Sequence, residues 1–416
     1  MDGVSIADAV STRAADARSR TVAGLDPRVI SLASTHFIVD AYGNIYAPLL
    51  PLLIPQLGLS LTAVGVLAMC FQMASSMSQL GFGTLADRWR PRVLLIAGPL
   101  VTVIILSCVG WASSAVALGA LLVLGGLGAA AFHPPAAAAV FHASGRRKGF
   151  AMSVHITAGS VGMAMAPLFF APVIERLGLH WSPIIAIPGL SGLWFLLRRV
   201  PPVGKAHISN REGFGALRPY AGPLSLLYFT VVLRTLTSAG FVTFMPVLLT
   251  SQGMSIANAS LAATCYLLVS GVGGFSGGPL ADRFGPRRVI LISLISSVPF
   301  MVVASQLSGW WFTAVVSIGG LLLQSTLPVN VTYAQLLAPV GAATVSSLMM
   351  GFAWGMGSAM VPLVGLVGDT MGLPRALLMI AVAPLLAAML AARLPERARD
   401  ESTGPEQPLP GPGPTL

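Results

Sequence analysis

Two ionisable side chains, Asp40 and Arg234, lie deep inside apolar runs of the sequence. A charge at the centre of a membrane-spanning helix costs roughly 2.5–3.5 kcal/mol on insertion scales, so each side chain should face the protein interior and a partner. Both residues lie near the middle of their runs, at matching depths. This predicts a pair that meets across a central cavity and couples proton binding to conformational change. The alternative is a fixed ion pair that only orients two halves.

Polar residues near Asp40 extend the candidate site. His36, Asp40 and Asn44 are spaced by four residues and share one helical face. The imidazole of His36 could relay a proton at physiological pH, or it could simply bond a backbone carbonyl. His133 is followed by two prolines, which disturb a helix and suit either a substrate site or a plain kink. The residues predicted to line the substrate path are Asn44, Gln72, His133, Gln324 and Asn330.

The composition predicts the elements that hold these residues. The chain has 416 residues, of which 55% are hydrophobic and 9% charged, with a mean hydropathy of +0.81. Soluble domains carry about 25% charged residues, so this is an integral membrane protein. Twelve apolar runs are each long enough to cross a bilayer as a helix. The three cysteines lie inside these runs, without the spacing of a disulfide framework or a zinc site.

Basic residues fix the predicted orientation in a cell membrane, taken as a bacterial inner membrane. With the N-terminus inside, cytoplasmic segments hold 21 Lys and Arg residues and external segments hold 2. The positive-inside rule therefore predicts that both termini are cytoplasmic. The net charge of +10 then reflects topology and lipid head groups, and no nucleic-acid partner is expected.

A charged stretch occurs twice. Gly83-Thr84-Leu85-Ala86-Asp87-Arg88 returns as Gly278-Pro279-Leu280-Ala281-Asp282-Arg283, a shift of 195 residues. This repeat predicts an all-α membrane protein with twelve transmembrane helices in two pseudo-symmetric six-helix bundles. The predicted divisions are a cytoplasmic N-terminal segment (1–28), the first bundle (29–199), a cytoplasmic linker (200–221), the second bundle (222–394) and a disordered tail (395–416).

The repeated loops are candidates for gating. The carboxylates of Asp87 and Asp282 can interact with positive helix N-termini, and Arg88 and Arg283 can pair with acids or lipid head groups. Gating is predicted for these four residues. The alternative is that the arginines only enforce topology.

The loops resemble the signature between the second and third helices of each half in the major facilitator superfamily. Within that superfamily, several strings together resemble the fosmidomycin-resistance branch. The resemblance implies proton-driven export of a drug or small metabolite, with the loops latching the halves on the cytoplasmic side in the outward-open state. The strings are His36-x3-Asp40, Leu59-Ser60-Leu61-Thr62, Phe132-His133-Pro134, Tyr333-Ala334-Gln335 and Gly351-Phe352-Ala353-Trp354-Gly355-Met356-Gly357.

Other function classes lack support in the sequence. There is no nucleotide-binding loop and no cluster of catalytic acids or nucleophiles, so neither an enzyme nor a cofactor is predicted. The expected partners are a small-molecule substrate, protons and lipids, and the expected state is a monomer. An importer of a nutrient or of a metal ion such as copper remains open. Copper would use soft ligands such as Met356, Met360 and His155, but flexible packing is the usual role of methionine and no metal site is predicted.

Overall fold

The structure is a computed structural model that describes residues 25–88, 91–144, 148–198, 214–338, 345–346 and 348–396. Most of these residues are helical, and twelve helices are long and apolar enough to span a membrane, as predicted. Most of the predicted N-terminal segment, linker and tail lies outside the described residues, and the domain boundaries stay predictions. The helices are α1 (Pro27–Leu57), α2 (Leu61–Ala86), α3 (Pro91–Trp111), α4 (Ala115–Ala143), α5 (Phe150–Leu177), α6 (Leu179–Leu197), α7 (Leu217–Ser251), α8 (Ile256–Phe284), α9 (Pro286–Ala304), α10 (Gly309–Leu337), α11 (Leu348–Met371) and α12 (Leu373–Ala391).

Four of these helices are interrupted by a turn, and a proline follows each interruption closely. Proline lacks the N–H that would bond the carbonyl four residues earlier, and its ring crowds that carbonyl. The break divides α1 into Pro27–Gly43 and Tyr46–Leu57. Asp40 therefore lies one turn before an irregular stretch of backbone. The turns and their prolines are Asn44–Ile45 before Pro48, Ser325 before Pro328, Met360 before Pro362, and Val382 before Pro384.

The two halves repeat one another in packing as well as in sequence. Helix α4 packs against α2 and α3, and α1 against α5; correspondingly, α10 packs against α8 and α9, and α7 against α11. One hydrogen bond recurs at the 195-residue shift. Tyr42 Oη donates to the carbonyl of Ile185, and Thr237 Oγ1 donates to the carbonyl of Ile380 at 2.9 Å. The two pseudo-symmetric bundles predicted from the repeated loop are confirmed.

The halves meet along two seams, where α2 packs against α11 and α5 packs against α8. The second segment of α1 also packs against α7. We call the end of the bundle where α8 gives way to α9 the arginine-rich end, since Arg283, Arg287 and Arg288 lie there. The opposite end, where α1 ends at Leu57 and α2 begins at Leu61, is the arginine-poor end.

Candidate substrate and proton site

The carboxylate of Asp40 is held by two imidazoles of its own half. His36, one turn earlier on α1, places Nε2 3.2 Å from Asp40 Oδ2. His133, from α4, places Nε2 3.6 Å from Asp40 Oδ1. All three side chains are largely buried. The predicted stripe on α1 therefore forms, and His133 joins it from a neighbouring helix.

The hydrogen bonds of His36 define where a proton must lie. His36 Nδ1 is 2.9 Å from the backbone carbonyl of His155 on α5, and a carbonyl can only accept. Nδ1 therefore carries a proton, and the contact between Nε2 and Asp40 is a hydrogen bond only if one more proton lies between them. Loss of that proton would set a nitrogen lone pair against a carboxylate, so the pair is built to hold it.

Helix α5 packs directly against the His36–Asp40 pair at a glycine, Gly159. A Cβ added at Gly159 would lie 2.5 Å from Asp40 Oδ2 and 2.6 Å from His36 Nε2. One turn before it, the His155 ring stacks beside the His36 ring with centroids 4.3 Å apart. A Cβ at Gly162 would overlap the backbone of Phe37. Glycine at these positions is what allows α5 to approach α1 at the buried carboxylate.

Asn44 donates a hydrogen bond to a backbone carbonyl of α5 that a proline leaves without its helical donor. Pro167 has no N–H, so the carbonyl of Met163, four residues earlier, lacks its helical donor. Asn44 Nδ2 donates to that carbonyl at 3.0 Å. The residue predicted to contact substrate thus also ties the break in α1 to the proline-bearing turn of α5.

Arg234, on α7, is 3% exposed, and its Nε and Nη2 have no hydrogen-bond partner among the described residues. These two nitrogens lie on the same edge of the guanidinium, the edge that binds a carboxylate or phosphate through two parallel hydrogen bonds. A buried charge without a counter-ion is strongly destabilising. The arrangement therefore suits an anionic ligand.

Polar groups of the same half surround this guanidinium. Tyr266 of α8 is an electrostatic neighbour of Arg234, and its buried hydroxyl lies close to the hydroxyls of Ser238 and Ser270. Gln324 Nε2 donates to Ser238 Oγ at 3.2 Å, which leaves its Oε1 unpartnered. Asn330 is also buried with an unpartnered Oδ1. The second half thus carries unpartnered acceptors on Gln324 and Asn330 in addition to its buried cation.

A narrow cavity lies at the junction of the two halves. Asn44, Ala47 and Pro167 line it from the first half. Met245 and Tyr266 line it from the second half. Neither Asp40 nor Arg234 lines this cavity, although Asn44 is one turn from Asp40 and Tyr266 neighbours Arg234.

The predicted contact between Asp40 and Arg234 does not form. No ion pair joins them among the described residues. The carboxylate of Asp40 instead contacts His36 and His133. Their separation of 194 residues is one short of the 195-residue repeat. One residue turns an α-helix by about 100°, so Asp40 and Arg234 can lie at equal depth without facing one another. Their roles in coupling stay predictions.

The other predicted residues fall at different places. Gln72 Nε2 donates to Ser76 Oγ along its own helix at 2.6 Å. Asp282 is exposed with no ion pair among the described residues, and the Arg283 guanidinium lies 5.2 Å from the centroid of the Phe284 ring. The side chains of Asp87 and Arg88 lie outside the described part of the chain, and gating by these loops stays a prediction.

One group of side chains has the composition of a metal site. Ligand atoms of His36, Asp40 and His133 lie within 4.8 Å of one another. A metal ion would have to part His36 from Asp40, whose atoms already make a hydrogen-bond contact, so the geometry favours a proton over a metal. Met356, considered for copper, is 42% exposed on α11 and is remote from this group in sequence.

Comparison with known proteins identifies the family. The sequence profile of the Major Facilitator Superfamily matches residues 32–227 and 227–414. The chain belongs to the Major Facilitator Superfamily. It is therefore an integral membrane protein with the family and fold of a transporter, as predicted.

Two bacterial relatives align with most of the chain. The uncharacterized MFS-type transporter YfnC of Bacillus subtilis (strain 168) is 31% identical over 381 residues, 86% of this chain and 91% of its own length. The fosmidomycin resistance protein of Escherichia coli (strain K12) is 29% identical over 378 residues, 88% and 92% of the two chains. The resemblance to the fosmidomycin-resistance branch is confirmed.

Solved structures share the fold. A bacterial homolog of the human lysosomal transporter Spinster, in an inward-facing and occupied conformation, superposes with a TM-score of 0.74 at 18% identity over 89% of this chain and 97% of its own. The nucleoside transporter NupG superposes with a TM-score of 0.71 at 12% identity over 88% and 98%. At these identities the likeness concerns the fold alone.

Several residues of the two clusters were not singled out from the sequence. His155 was considered only for copper, although His155 and Gly159 are spaced by one turn and could have been read as one face of α5. Tyr266 carries no charge, so its place beside Arg234 had no local signal, whereas Ser238 follows Arg234 by one turn of α7 and could have been read as part of the same face. Only the tertiary packing of α7, α8 and α10 brings them together.

Proposed function

We propose that this transporter exports a small anionic molecule in exchange for protons. The observation that carries the proposal is the buried guanidinium of Arg234, with two unpartnered N–H groups on one edge. A carboxylate, phosphonate or phosphate supplies two oxygens that match that edge. Binding such a group would neutralise a charge that the protein otherwise leaves uncompensated.

The proton site and the anion site lie in different halves. His36, Asp40 and His133 belong to the first half and hold a proton. Arg234 and Tyr266 belong to the second half and hold the substrate. Each ligand can then favour a different arrangement of the halves, which is the requirement for coupling by alternating access.

The orientation follows from the distribution of basic residues. Lys and Arg are concentrated in the segments that lie on the same side of the membrane as the N-terminus. By the positive-inside rule, this supports cytoplasmic termini and a cytoplasmic arginine-rich end. The arginine-poor end then faces the outside of the cell. The protein acts as a monomer in the inner membrane, with lipid head groups at the basic loops.

The relatives support export. One is named a fosmidomycin resistance protein and another, from Citrobacter koseri, a multidrug resistance protein, 26% identical over 296 residues, 66% of this chain and 71% of its own length. A resistance protein that carries its drug lowers the drug concentration inside the cell. This favours outward transport of the anion.

Import is the second candidate, and the charges give it a specific basis. A proton on the Asp40 cluster and an anion at Arg234 attract one another, which favours joint binding and therefore transport in the same direction. Exchange requires instead that the two ligands bind alternately. The direction of proton flow during transport separates the two candidates.

The test uses inverted membrane vesicles that hold an acidic interior reported by a fluorescent dye. The probes are fosmidomycin, other phosphonates and carboxylates, compared with uncharged hydrophobic compounds. Exchange predicts that anionic probes added outside dissipate the pH gradient, because protons leave as the probe enters. Joint transport predicts no dissipation on that addition, because protons would have to enter with the probe against their own gradient. Uncharged compounds should have no effect.

Matched variants locate the anion site. Arg234→Gln should abolish the response to anions, and Arg234→Lys should restore only part of it, since lysine keeps the charge but lacks the two-nitrogen edge. Arg375→Gln, an exposed arginine of the same half, is the control and should respond as the parent does. An anion response that survives Arg234→Gln would contradict the site.

A further inference from the structure

The start of α2 is capped by a side chain from the other half of the protein. Asp369, on α11, accepts hydrogen bonds from the backbone N–H of Leu61 at 2.7 Å and of Thr62 at 2.8 Å. Its Oδ2 also accepts from Thr62 Oγ1 at 2.6 Å. These three bonds join the halves at the arginine-poor end.

This cap completes the first turn of α2. The first N–H groups of a helix have no intrahelical acceptor. Ser60 Oγ accepts from that of Ala63 at 3.1 Å, while Val64 N makes the first regular helical bond, to the Ser60 carbonyl at 3.0 Å. Asp369 serves the remaining two, and its negative charge lies at the positive end of the helix dipole.

Close backbone packing surrounds the cap. A Cβ at Gly65 would lie 2.7 Å from Pro362 Cα, and one at Gly368 would lie 2.9 Å from Leu61 Cδ1. The two helices therefore touch through small residues on both sides of the carboxylate. Separation of α2 from α11 at this end must break the three bonds to Asp369.

The equivalent place in the repeat lacks such a bond. Ser255 Oγ accepts from Asn258 N at 3.2 Å at the start of α8, just as Ser60 Oγ accepts from Ala63 N. Glu175 of α5 lies one residue from the position that matches Asp369. In the part of the chain that the structure describes, no hydrogen bond joins Glu175 to the start of α8, and Glu175 is exposed.

We propose that Asp369 is the positioning residue that keeps the arginine-poor end closed. Its carboxylate stabilises the state in which α2 and α11 meet, and it releases α2 when that end opens. This gives a role to the string Leu59-Ser60-Leu61-Thr62, which the proton and anion sites do not use. The inference rests on the alternating access of the proposed function but on neither its substrate nor its proton.

The test measures how often the arginine-poor end opens. Ala47, 3% exposed, lines the cavity between the halves, so Ala47→Cys in a chain without its three natural cysteines reports opening. A membrane-impermeant maleimide is added to intact cells, and the labelling rate scales with the open fraction. Asp369→Ala should raise this rate about fivefold to tenfold, the range that corresponds to the loss of a helix cap. Asp369→Asn, which keeps an acceptor, should raise it less.

Three controls decide the result. Glu175→Gln removes an exposed acid at the same end and should leave the rate unchanged. Gln56→Cys is exposed at the arginine-poor end and must label quickly, which shows that the reagent reaches that end. If it labels quickly only in inverted vesicles, the arginine-poor end faces the cytoplasm, and all labelling rates are then measured in inverted vesicles. Ala304→Cys, fully buried in the second half, must stay unreactive.

A labelling rate for Asp369→Ala within twofold of the parent would overturn the proposal. So would a parallel rise at Ala304→Cys, since that would mean general loosening rather than opening. Neither result bears on the export of anions, because the readout is labelling of a cysteine rather than transport.

Discussion

Gly159 offers the sharpest test of the proton site, because a single methyl group there must disturb the pair below it. In Gly159→Ala the new Cβ would lie 2.5 Å from Asp40 Oδ2 and 2.6 Å from His36 Nε2. Ordinary contacts between non-bonded heavy atoms need about 3.5 Å. Helix α5 or the two side chains must therefore move by about 1 Å.

The cost in stability can be estimated against a matched glycine. Overpacking of this kind costs about 1–3 kcal/mol, while replacing a helical glycine by alanine returns up to about 1 kcal/mol. Gly81 lies in α2 and has no described atom within 4 Å of an added Cβ. Gly81→Ala should therefore be neutral or stabilising, and the two variants should differ by about 1–3 kcal/mol in the free energy of unfolding. Denaturation in detergent measures this difference.

The effect on transport should be larger than the effect on stability. A displacement of about 1 Å at a reacting group can cost about a hundredfold in rate. Gly159→Ala should lower gradient-driven transport at least tenfold in proteoliposomes, while Gly81→Ala transports as the parent does. If Gly159→Ala matches Gly81→Ala in both stability and transport, α5 does not confine the His36–Asp40 pair and the account of the proton site is wrong.

The remaining predictions concern single contacts. Asp40→Asn should abolish accumulation driven by a pH gradient in proteoliposomes while the protein stays folded, and accumulation by this variant would refute proton coupling at Asp40. Asn44→Leu should lower the free energy of unfolding by about 1–3 kcal/mol, since the carbonyl of Met163 loses its donor, and detergent denaturation measures the loss. Tyr42→Phe and Thr237→Val remove bonds at repeat-related positions and should each cost about 1 kcal/mol; a clear effect from only one of them would show that the halves are not equally dependent on this bond.

The fold could be predicted because its signals are local. The length of each apolar run and the side on which arginines gather depend on composition alone, and the recurrence of Asp87 as Asp282 gives the duplication directly. The breaks in α1 and α10 also have a local cause, in Pro48 and Pro328. None of these features needs knowledge of which helices touch.

The site could be predicted only in part because its contacts are not local. Depth along a helix located Asp40 and Arg234, but rotation decides the partner, and the sequence does not fix rotation. His133 and His155 reach Asp40 and His36 from two other helices, so their spacing in sequence carries no signal. The bond from Asp369 to Leu61 spans 308 residues, which places it beyond any pattern read along the chain.

The two buried charges are satisfied in different ways, and the difference bears on how the protein works. Asp40 has two imidazole partners within its own half, so the first half needs no contact from the second half at that point. Arg234 has no counter-ion among the described residues, so the second half keeps an unfavourable charge until a ligand arrives. If that charge is retained for binding, Arg234→Gln should unfold at a higher temperature than the parent when no anion is present, and added anion should stabilise the parent alone. An Arg234→Gln protein that unfolds at a lower temperature would mean that the guanidinium is structural, since its removal would then break contacts that hold α7 in place.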